Sequence, residues 1–332
     1  MEPLKLTVIT PVYNEEDVIF HFYEKTRAVL DSMVNVDGRI LFVVDRSTDN
    51  TLNILRSVVM GDPKSKVIAM SSRFGHQMAL LAGIEHSTDA DVIVMMDSDL
   101  QHPPELIPKL LAEYRKGAAV VYTIRRNSEN VGYFRRSVGN LFYRFLNVLS
   151  HTPINPNAAD FRLINRQVAE ALRSGFKERN MFLRGLFSWI GFNQVSIDYV
   201  AEQRFSGHSK YSIARMFQLA ASGILSFSTK PLHAGIFVGI GFACLAFVFM
   251  LSSLLSFFID HSIPSGWTTL VILLLLFSSI QLVVLGIMGA YIAGIYEEVK
   301  GRPRYIIDEE IIHDALPQEL VAFFSSNEEV IQ

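Results

Sequence analysis

Residues 91–105 read Asp91-Val92-Ile93-Val94-Met95-Met96-Asp97-Ser98-Asp99-Leu100-Gln101-His102-Pro103-Pro104-Glu105. Asp91 is followed by an uninterrupted apolar run, Val92 to Met96, short and partly β-branched. That is the pattern of a strand buried on both faces. The run stops at Asp97, and Asp99 and Gln101 follow at alternating positions before Pro103 and Pro104 open a new segment. Alternation places Asp97, Asp99 and Gln101 on one side if the chain stays extended past the strand. Three oxygen-bearing side chains at the carboxyl end of a buried strand suit a hard divalent cation, Mg²⁺ or Mn²⁺, with positions left for substrate phosphates. The plainer alternative is a loop, because Asp and Ser are common loop formers and Pro103-Pro104-Glu105 suits the first turn of a helix. A bare Asp-x-Asp does not decide between them.

Upstream, the chain alternates strand and helix signals. Leu4 to Thr10 predicts a strand closed by Pro11-Val12-Tyr13-Asn14-Glu15-Glu16, and Asp17 to Met33 a helix with Val18, Ile19, Phe22 and Leu30 on one face. Arg39 to Val44 predicts a second strand, ending at Asp45-Arg46-Ser47-Thr48-Asp49-Asn50-Thr51. A helix over Thr51 to Val59, a strand over Val67 to Met70 and a helix over Gln77 to His86 lead into the opening stretch. This order predicts a parallel sheet with helices on both faces, with ligands bound beyond the carboxyl ends of the strands. Those ends carry Tyr13-Asn14-Glu15, Asp45 and Asp97/Asp99.

Downstream, Leu106 to Lys116 reads as a helix and Ala118 to Thr123 as a strand, followed by a basic region with Arg125, Arg126, Arg135 and Arg136. Phe134 to Leu149 is amphipathic and aromatic, which suits either a helix packed on the domain or one lying on a membrane surface. Asp160 stands alone among small and apolar residues, where it also reads as a helix N-cap. Arg204-Phe205-Ser206-Gly207-His208-Ser209-Lys210-Tyr211 is a basic, glycine-containing loop suited to an anionic group.

The 332 residues allow two domains. A net charge of −3 gives no global signature of nucleic-acid binding, so nucleic acid is not an expected partner. The lone Cys244 excludes an internal disulfide and any cysteine cluster, and its apolar surroundings predict inert packing. No cleavable signal peptide is read at the start. Half of the residues are hydrophobic, and the excess lies in the C-terminal third. Pro231 to Ile259 and Trp267 to Tyr296 contain no Asp, Glu, Lys or Arg. About 20 helical residues cross a bilayer core, so both stretches are long enough. They predict a transmembrane hairpin with spans at about 232–259 and 268–296 and a short turn at Asp260 to Gly266. Lys230 precedes the first span, Lys300, Arg302 and Arg304 follow the second, and the turn has no Lys or Arg, which predicts that both flanks are cytoplasmic. Gly286 and Gly289 are candidates for close helix packing. The expected organisation is a cytoplasmic catalytic domain over 1–209, an amphipathic juxtamembrane helix over 210–229, the hairpin over 230–297 and a cytoplasmic tail over 298–332, acidic and either peripheral or partly disordered beyond Asp308.

Taken in order, these motifs resemble the family-2 glycosyltransferases of GT-A fold, and more narrowly their polyprenyl-phosphate branch, which includes dolichol-phosphate mannose synthases and bactoprenol glucosyltransferases. The resemblance runs from about Leu6 to Arg304. It rests on Pro11 to Glu16, Ser47 to Thr51, Arg73-Phe74-Gly75-His76-Gln77, Asp97 to Glu105, Asp160-Phe161-Arg162-Leu163, Arg184-Gly185-Leu186 and Ser209-Lys210-Tyr211, with the apolar hairpin behind them.

The resemblance implies an α/β, Rossmann-like GT-A domain followed by a two-helix hairpin in a bacterial inner membrane. The implied reaction is inverting transfer of one sugar from a UDP-glucose-like or GDP-mannose-like donor to polyprenyl phosphate, for cell-envelope glycan modification. Pro11, Tyr13, Glu15 and Asp45 would line the nucleotide pocket, Asp97 would sit against the nucleotide sugar, and Asp99 with Gln101 would hold the metal. Asp160 would be the catalytic base. Arg125 or Arg126, Arg135 or Arg136, and Arg204 with Lys210 would hold the lipid phosphate. Relatives in fold often associate through hairpin and tail, so a homo-oligomer is an expected partner state. One departure stands out: Val44-Asp45-Arg46-Ser47 replaces the family's usual Asp-Asp-Gly-Ser or Asn-Asp-Gly-Ser, so Arg46 stands where a glycine supplies backbone freedom. Two other readings compete. A processive polysaccharide synthase usually carries Gln-x-x-Arg-Trp, but neither Trp189 nor Trp267 follows an Arg. A non-catalytic membrane scaffold is motivated only by Val44 and Arg46.

Overall fold

A computed structural model describes residues 2–126, 158–176, 178, 183–200, 230–260 and 266–313. The chain divides into two compact units, one of Met1–Asn140, Ile154–Lys210 and Pro303–Gln332, the other of Leu141–Pro153 and Tyr211–Arg302.

The first unit is built on an eight-stranded sheet in the order β7-β5-β6-β4-β1-β2-β3-β8. Its strands are β1 (Leu4–Val12), β2 (Val36–Val44), β3 (Ser65–Met70), β4 (Val92–Met95), β5 (Val120–Arg126), β6 (Ala158–Asn165), β7 (Gln194–Val200) and β8 (Ile307–Ile312). Helices α1 (Ile19–Asp31), α2 (Thr51–Gly61) and α4 (Ile107–Arg115) share one buried cluster with the sheet, centred on Leu6, Val8, Phe22, Phe42, Leu55 and Leu110. Helix α3 (His76–Glu85) packs on β1 and β2 and against α5 (Arg166–Gly175). All seven residues from Met78 to Ile84 are buried, so α3 is apolar all round because it is enclosed all round. Gly83 lets α3 approach the sheet closely, since a Cβ there would run into the side chain of Ile9. The short helix α6 (Leu183–Trp189) completes the unit among the described residues.

The sheet is mixed, not the parallel sheet that strand–helix alternation predicts. β1 pairs in parallel with β2 and β4, and β2 with β3, as crossover helices require. β6, however, runs antiparallel to both β4 and β5, and β8 antiparallel to β3. The direction of β6 matters for the site. It brings the amino end of β6, with Asp160, to the sheet edge where β4 ends, because Arg162 is in register with Met95. Asp160 is therefore a strand residue and not an N-cap; Asn165 caps α5 instead, accepting the Val168 N–H at 2.9 Å.

The tail reading also changes. Residues 307–312 are the edge strand β8, with Ile311 buried and the acids on its exposed positions. Glu310 pairs with Lys66 at 2.9 Å and Glu309 with Arg56 at 2.5 Å, so the acidic stretch answers basic residues of β3 and α2. Arg304 donates to the Phe176 carbonyl at 2.6 Å and pairs with Glu85, which also accepts from the Tyr305 hydroxyl.

The second unit contains two long helices, α7 (Lys230–Asp260) and α8 (Trp267–Val299). They run side by side in opposite directions: the Phe242 and Phe277 rings meet edge-on at 5.6 Å, and a Cβ on Gly235 would touch Val284 at 3.4 Å. Gly286 and Gly289 face open space, so they are not the glycines of close approach within this pair. Among the described residues, Leu276–Val299 is the stretch long and apolar enough to cross a membrane, 24 residues with mean hydropathy 1.9 and none of its most apolar window buried. Gly235–Phe249 is a shorter apolar stretch. Cys244 is exposed on α7 and does not pack inside, contrary to the expectation from its apolar neighbours.

Candidate active site

The loops after β1 and β2 are sewn together. The Asn14 side chain donates to Thr48 Oγ1 at 3.0 Å and accepts the Thr48 N–H at 2.8 Å. The backbone N–H of Asn14 donates to Ser47 Oγ at 3.1 Å, and that of Glu15 to Thr51 Oγ1 at 3.0 Å. Glu16 accepts the Asn50 N–H at 2.8 Å while its own N–H reaches Asp49 at 3.3 Å. Asn14 has φ +53°, a left-handed conformation that asparagine tolerates better than most side chains. The Glu15 carbonyl accepts from Val18 and Ile19 and so starts α1. Pro11 is buried at the end of β1, and Tyr13 lies under the Arg73 guanidinium at 4.0 Å.

Asp45 is buried, and its two oxygens accept the backbone N–H groups of Phe74 at 2.9 Å and Gly75 at 2.8 Å. It thereby folds the loop that precedes α3, where Gly75 takes φ +91°. Each carboxylate oxygen retains a further lone pair for a ligand. Neither departure from the family pattern strains the loop. Val44 is part of the buried core. Arg46 is not among the left-handed residues Asn14, Asn35 and Leu100, so it carries no strain from a lost glycine, and its guanidinium donates to the Ser71 carbonyl at 3.0 Å.

Asp97 leaves the end of β4 and meets His76 at the start of α3, Nε2 to Oδ1 at 2.7 Å. Its backbone N–H donates to Nδ1 of His102, which is buried and stacked on Phe161 at 5.3 Å. Enclosure alone would raise the Asp97 carboxyl, but His76 outweighs it and holds the group well below the usual carboxylate range. Enclosure likewise lowers the His76 imidazole, and Asp97 outweighs that, bringing it up to about 8. Near neutral pH the pair is ionic.

Asp99 accepts the Gln101 N–H at 3.1 Å, and Gln101 Oε1 accepts from Arg125 at 3.3 Å. Between them Leu100 is buried with φ +59°, a strained conformation for leucine of order 1–3 kcal/mol that its burial holds in place. Among the described residues no cluster of three or more His, Cys, Asp or Glu side chains forms an all-protein cage. Asp99 and Gln101 offer a carboxylate and an amide oxygen, the hard donors that Mg²⁺ or Mn²⁺ takes when it shares its shell with substrate phosphates.

Asp160 forms a side-on fork with Arg184 of α6, Nε to Oδ1 at 2.7 Å and Nη2 to Oδ2 at 2.9 Å. Burial would raise its carboxyl, but the guanidinium overrides this and lowers it. Arg162, two residues along β6, is buried over the Phe187 ring at 4.3 Å and donates to the Ala159 carbonyl at 3.3 Å. Burial lowers it to about 10, so it stays charged at neutral pH.

Of the residues expected from sequence, Pro11, Tyr13, Glu15, Asp45, Asp97, Asp99, Gln101, Arg125 and Asp160 belong to this end of the sheet. Arg126 ends β5, and Arg135, Arg136, Arg204 and Lys210 lie outside the described residues, as does the expected helix over 210–229. His76, His102, Arg162 and Arg184 carry no role in the sequence reading. All four stand inside quoted motifs, so position was available but not partner.

The family profile described as Glycosyl transferase family 2 matches residues 7–173. An uncharacterized glycosyltransferase of Bacillus subtilis (strain 168), YkcC, is 38% identical, covering 92% of this chain and 94% of its own. The prophage bactoprenol glucosyl transferase homolog of Escherichia coli (strain K12) is 34% identical over 92% of this chain and 98% of its own. The bactoprenol glucosyl transferase of Shigella phage SfX is 33% identical over 92% and 99%.

Proposed function

Since the chain belongs to glycosyl transferase family 2 and is a glycosyltransferase, we propose that it moves one sugar from a nucleotide sugar to polyprenyl phosphate at a membrane. The observation that carries this reading is likeness over 92% of the chain, apolar helices included, to proteins named as bactoprenol glucosyl transferases. Glucose is accordingly the first sugar to test, with a UDP-glucose-like donor ahead of a GDP-mannose-like one.

The donor loops around Tyr13, Glu15 and Asp45 bind the nucleotide, and Asp97 orients the sugar. Asp99 and Gln101, with Asp97 beside them, would hold Mg²⁺ or Mn²⁺, which when bound offsets charge on the leaving diphosphate. A phosphate oxygen of the acceptor bonds to the anomeric carbon as the bond from that carbon to the diphosphate breaks, and the electron pair leaves with the nucleoside diphosphate. Displacement from the opposite face inverts the configuration. No proton need move, because a phosphate monoester with second pKa near about 6 is already ionised. Arg125 and Arg126, with Arg135, Arg136, Arg204 and Lys210, are proposed to receive the lipid phosphate.

α7 and α8 are proposed as a transmembrane hairpin, with the catalytic unit and tail in the cytoplasm of a bacterial cell and the site beside the inner membrane. A polyprenyl chain lives in the bilayer, so tethering the enzyme there raises its local concentration at the acceptor. The test is incubation of purified protein with labelled nucleotide sugars, polyprenyl phosphate and Mg²⁺ or Mn²⁺. Label should move into an organic-extractable lipid. Label in a water-soluble polymer, or no transfer from any donor, overturns the reading.

A further inference from the structure

Asp160 is the residue that the family resemblance offers as a base, yet both of its oxygens are held by one guanidinium, at 2.7 and 2.9 Å. A side-on arginine fork is the most directional grip on a carboxylate. Protonating a carboxylate so held costs charge-assisted bonds, which makes it a poor proton acceptor. The acceptor phosphate needs none. The helix that carries Arg184 is anchored at its start, where the N–H of the preceding Leu183 donates to Gln77 Oε1 at 3.1 Å. Gln77 adjoins His76, which bonds Asp97 at 2.7 Å. The two aspartates are thus each bonded by a side chain from a helix start, and the two helix starts are joined through Gln77. The Asp160 side chain is only 14% exposed and that of Arg184 30%, so the fork is partly shielded from water.

We propose that Arg184 is a positioning residue for sugar transfer: carried on a helix anchored at its start by Gln77, it sets Asp160 as a fixed anionic group facing the positive charge that develops on the sugar, not as the base. The inference rests on the glycosyltransferase reading above, and it makes the geometry of the fork the property that matters.

The test is a double-mutant cycle on the full-length protein with polyprenyl phosphate, the best donor and Mg²⁺ or Mn²⁺. It uses Arg184→Gln, Asp160→Asn and the pair combined, with Arg184→Lys as the conservative variant. A misplacement of this kind costs about 100-fold in rate. Arg184→Gln should therefore lower kcat by about 100-fold with donor KM changed by less than about threefold. Arg184→Lys, which keeps the charge but loses the fork, should fall between it and the parent. The double variant should be no slower than Asp160→Asn alone, because two residues acting as one unit are not additive. A double variant slower than Asp160→Asn by the full factor of Arg184→Gln overturns the inference, as does an unchanged kcat in Arg184→Gln. Melting curves check folding; if Arg184→Gln does not fold, the same cycle run with Arg184→Lys is read by the same criteria. A parent protein that transfers no sugar overturns the functional reading and this inference with it, whereas an active parent with an additive cycle overturns the inference alone.

Discussion

The seam proposed to bind the donor and the proposed transfer centre sit at the same end of one sheet and are held by different forces. The seam, Asn14 to Glu16 against Ser47 to Thr51, is a ladder of short side chains bonded to neighbouring backbone N–H groups and hydroxyls. The centre is two ion pairs, Asp97 with His76 and Asp160 with Arg184. A ladder of several modest bonds survives the loss of one rung, since each contributes only about 0.5–1.5 kcal/mol. A matched ion pair does not, because removing one partner strands the other charge in a place that water reaches only in part. The seam is thus built to hold a shape and the centre to hold a field.

That contrast breaks most sharply at Asp99. Asp99→Ala should abolish metal-dependent transfer, a loss of at least about 100-fold in kcat if a metal offsets the leaving-group charge. Unchanged rates with Mg²⁺ and Mn²⁺ in that variant remove the metal assignment. His76→Ala comes next. It leaves Asp97 without its cation and should cost about 1–2 kcal/mol of stability, a buried-pair penalty discounted because both side chains are more than a third exposed. Chemical denaturation measures it, and a loss below about 0.3 kcal/mol would mean that the pair is merely a surface contact.

On the seam, Asn14→Ala removes two side-chain bonds and puts alanine at φ +53°. About 1 kcal/mol should be lost, with weaker nucleotide binding but near-normal kcat at saturating donor. A kcat loss as large as that of Arg184→Gln would erase the distinction between the two regions. The smallest effect is acid sensitivity. Asp160 has a folded pKa lowered from its ordinary 3.8, so its contribution is complete above that value and is lost as pH falls below it. Asp160→Asn should flatten the acid limb of the melting-temperature profile; an unaltered limb would assign acid unfolding elsewhere.

Much of this was legible in the residues. The apolar run Val92 to Met96, the loop at Asp97 and the alternation of strands and helices up to β5 correspond closely to what forms. β6 was missed although Asp160-Phe161-Arg162-Leu163 alternates polar and apolar, the signature of a strand with two different faces. Asp160 read instead as a lone acid or an N-cap, and only the partners of its two polar members, Arg184 and Phe187, explain how such residues are buried. β8 was missed for a related reason. Acidic residues read as solvated tail until Lys66 and Arg56 are found opposite them. Arg46 brings no backbone strain, because identity shows which residue replaced glycine but not which φ the position needs.

By itself the sequence determined periodicity: where apolar residues repeat every second position, where they fill a helix, and where short polar residues end a strand. Those are local properties, set by the geometry of one element at a time. Direction and pairing were decided only in the tertiary structure. Nothing local says that β6 runs against β4 and so delivers Asp160 to the edge that carries Asp97. Nothing local says that His76 will neutralise Asp97, 21 residues away, or that Arg184 will take Asp160, 24 residues away. Charges act through space, and the distances that set their strength exist only once the chain has folded.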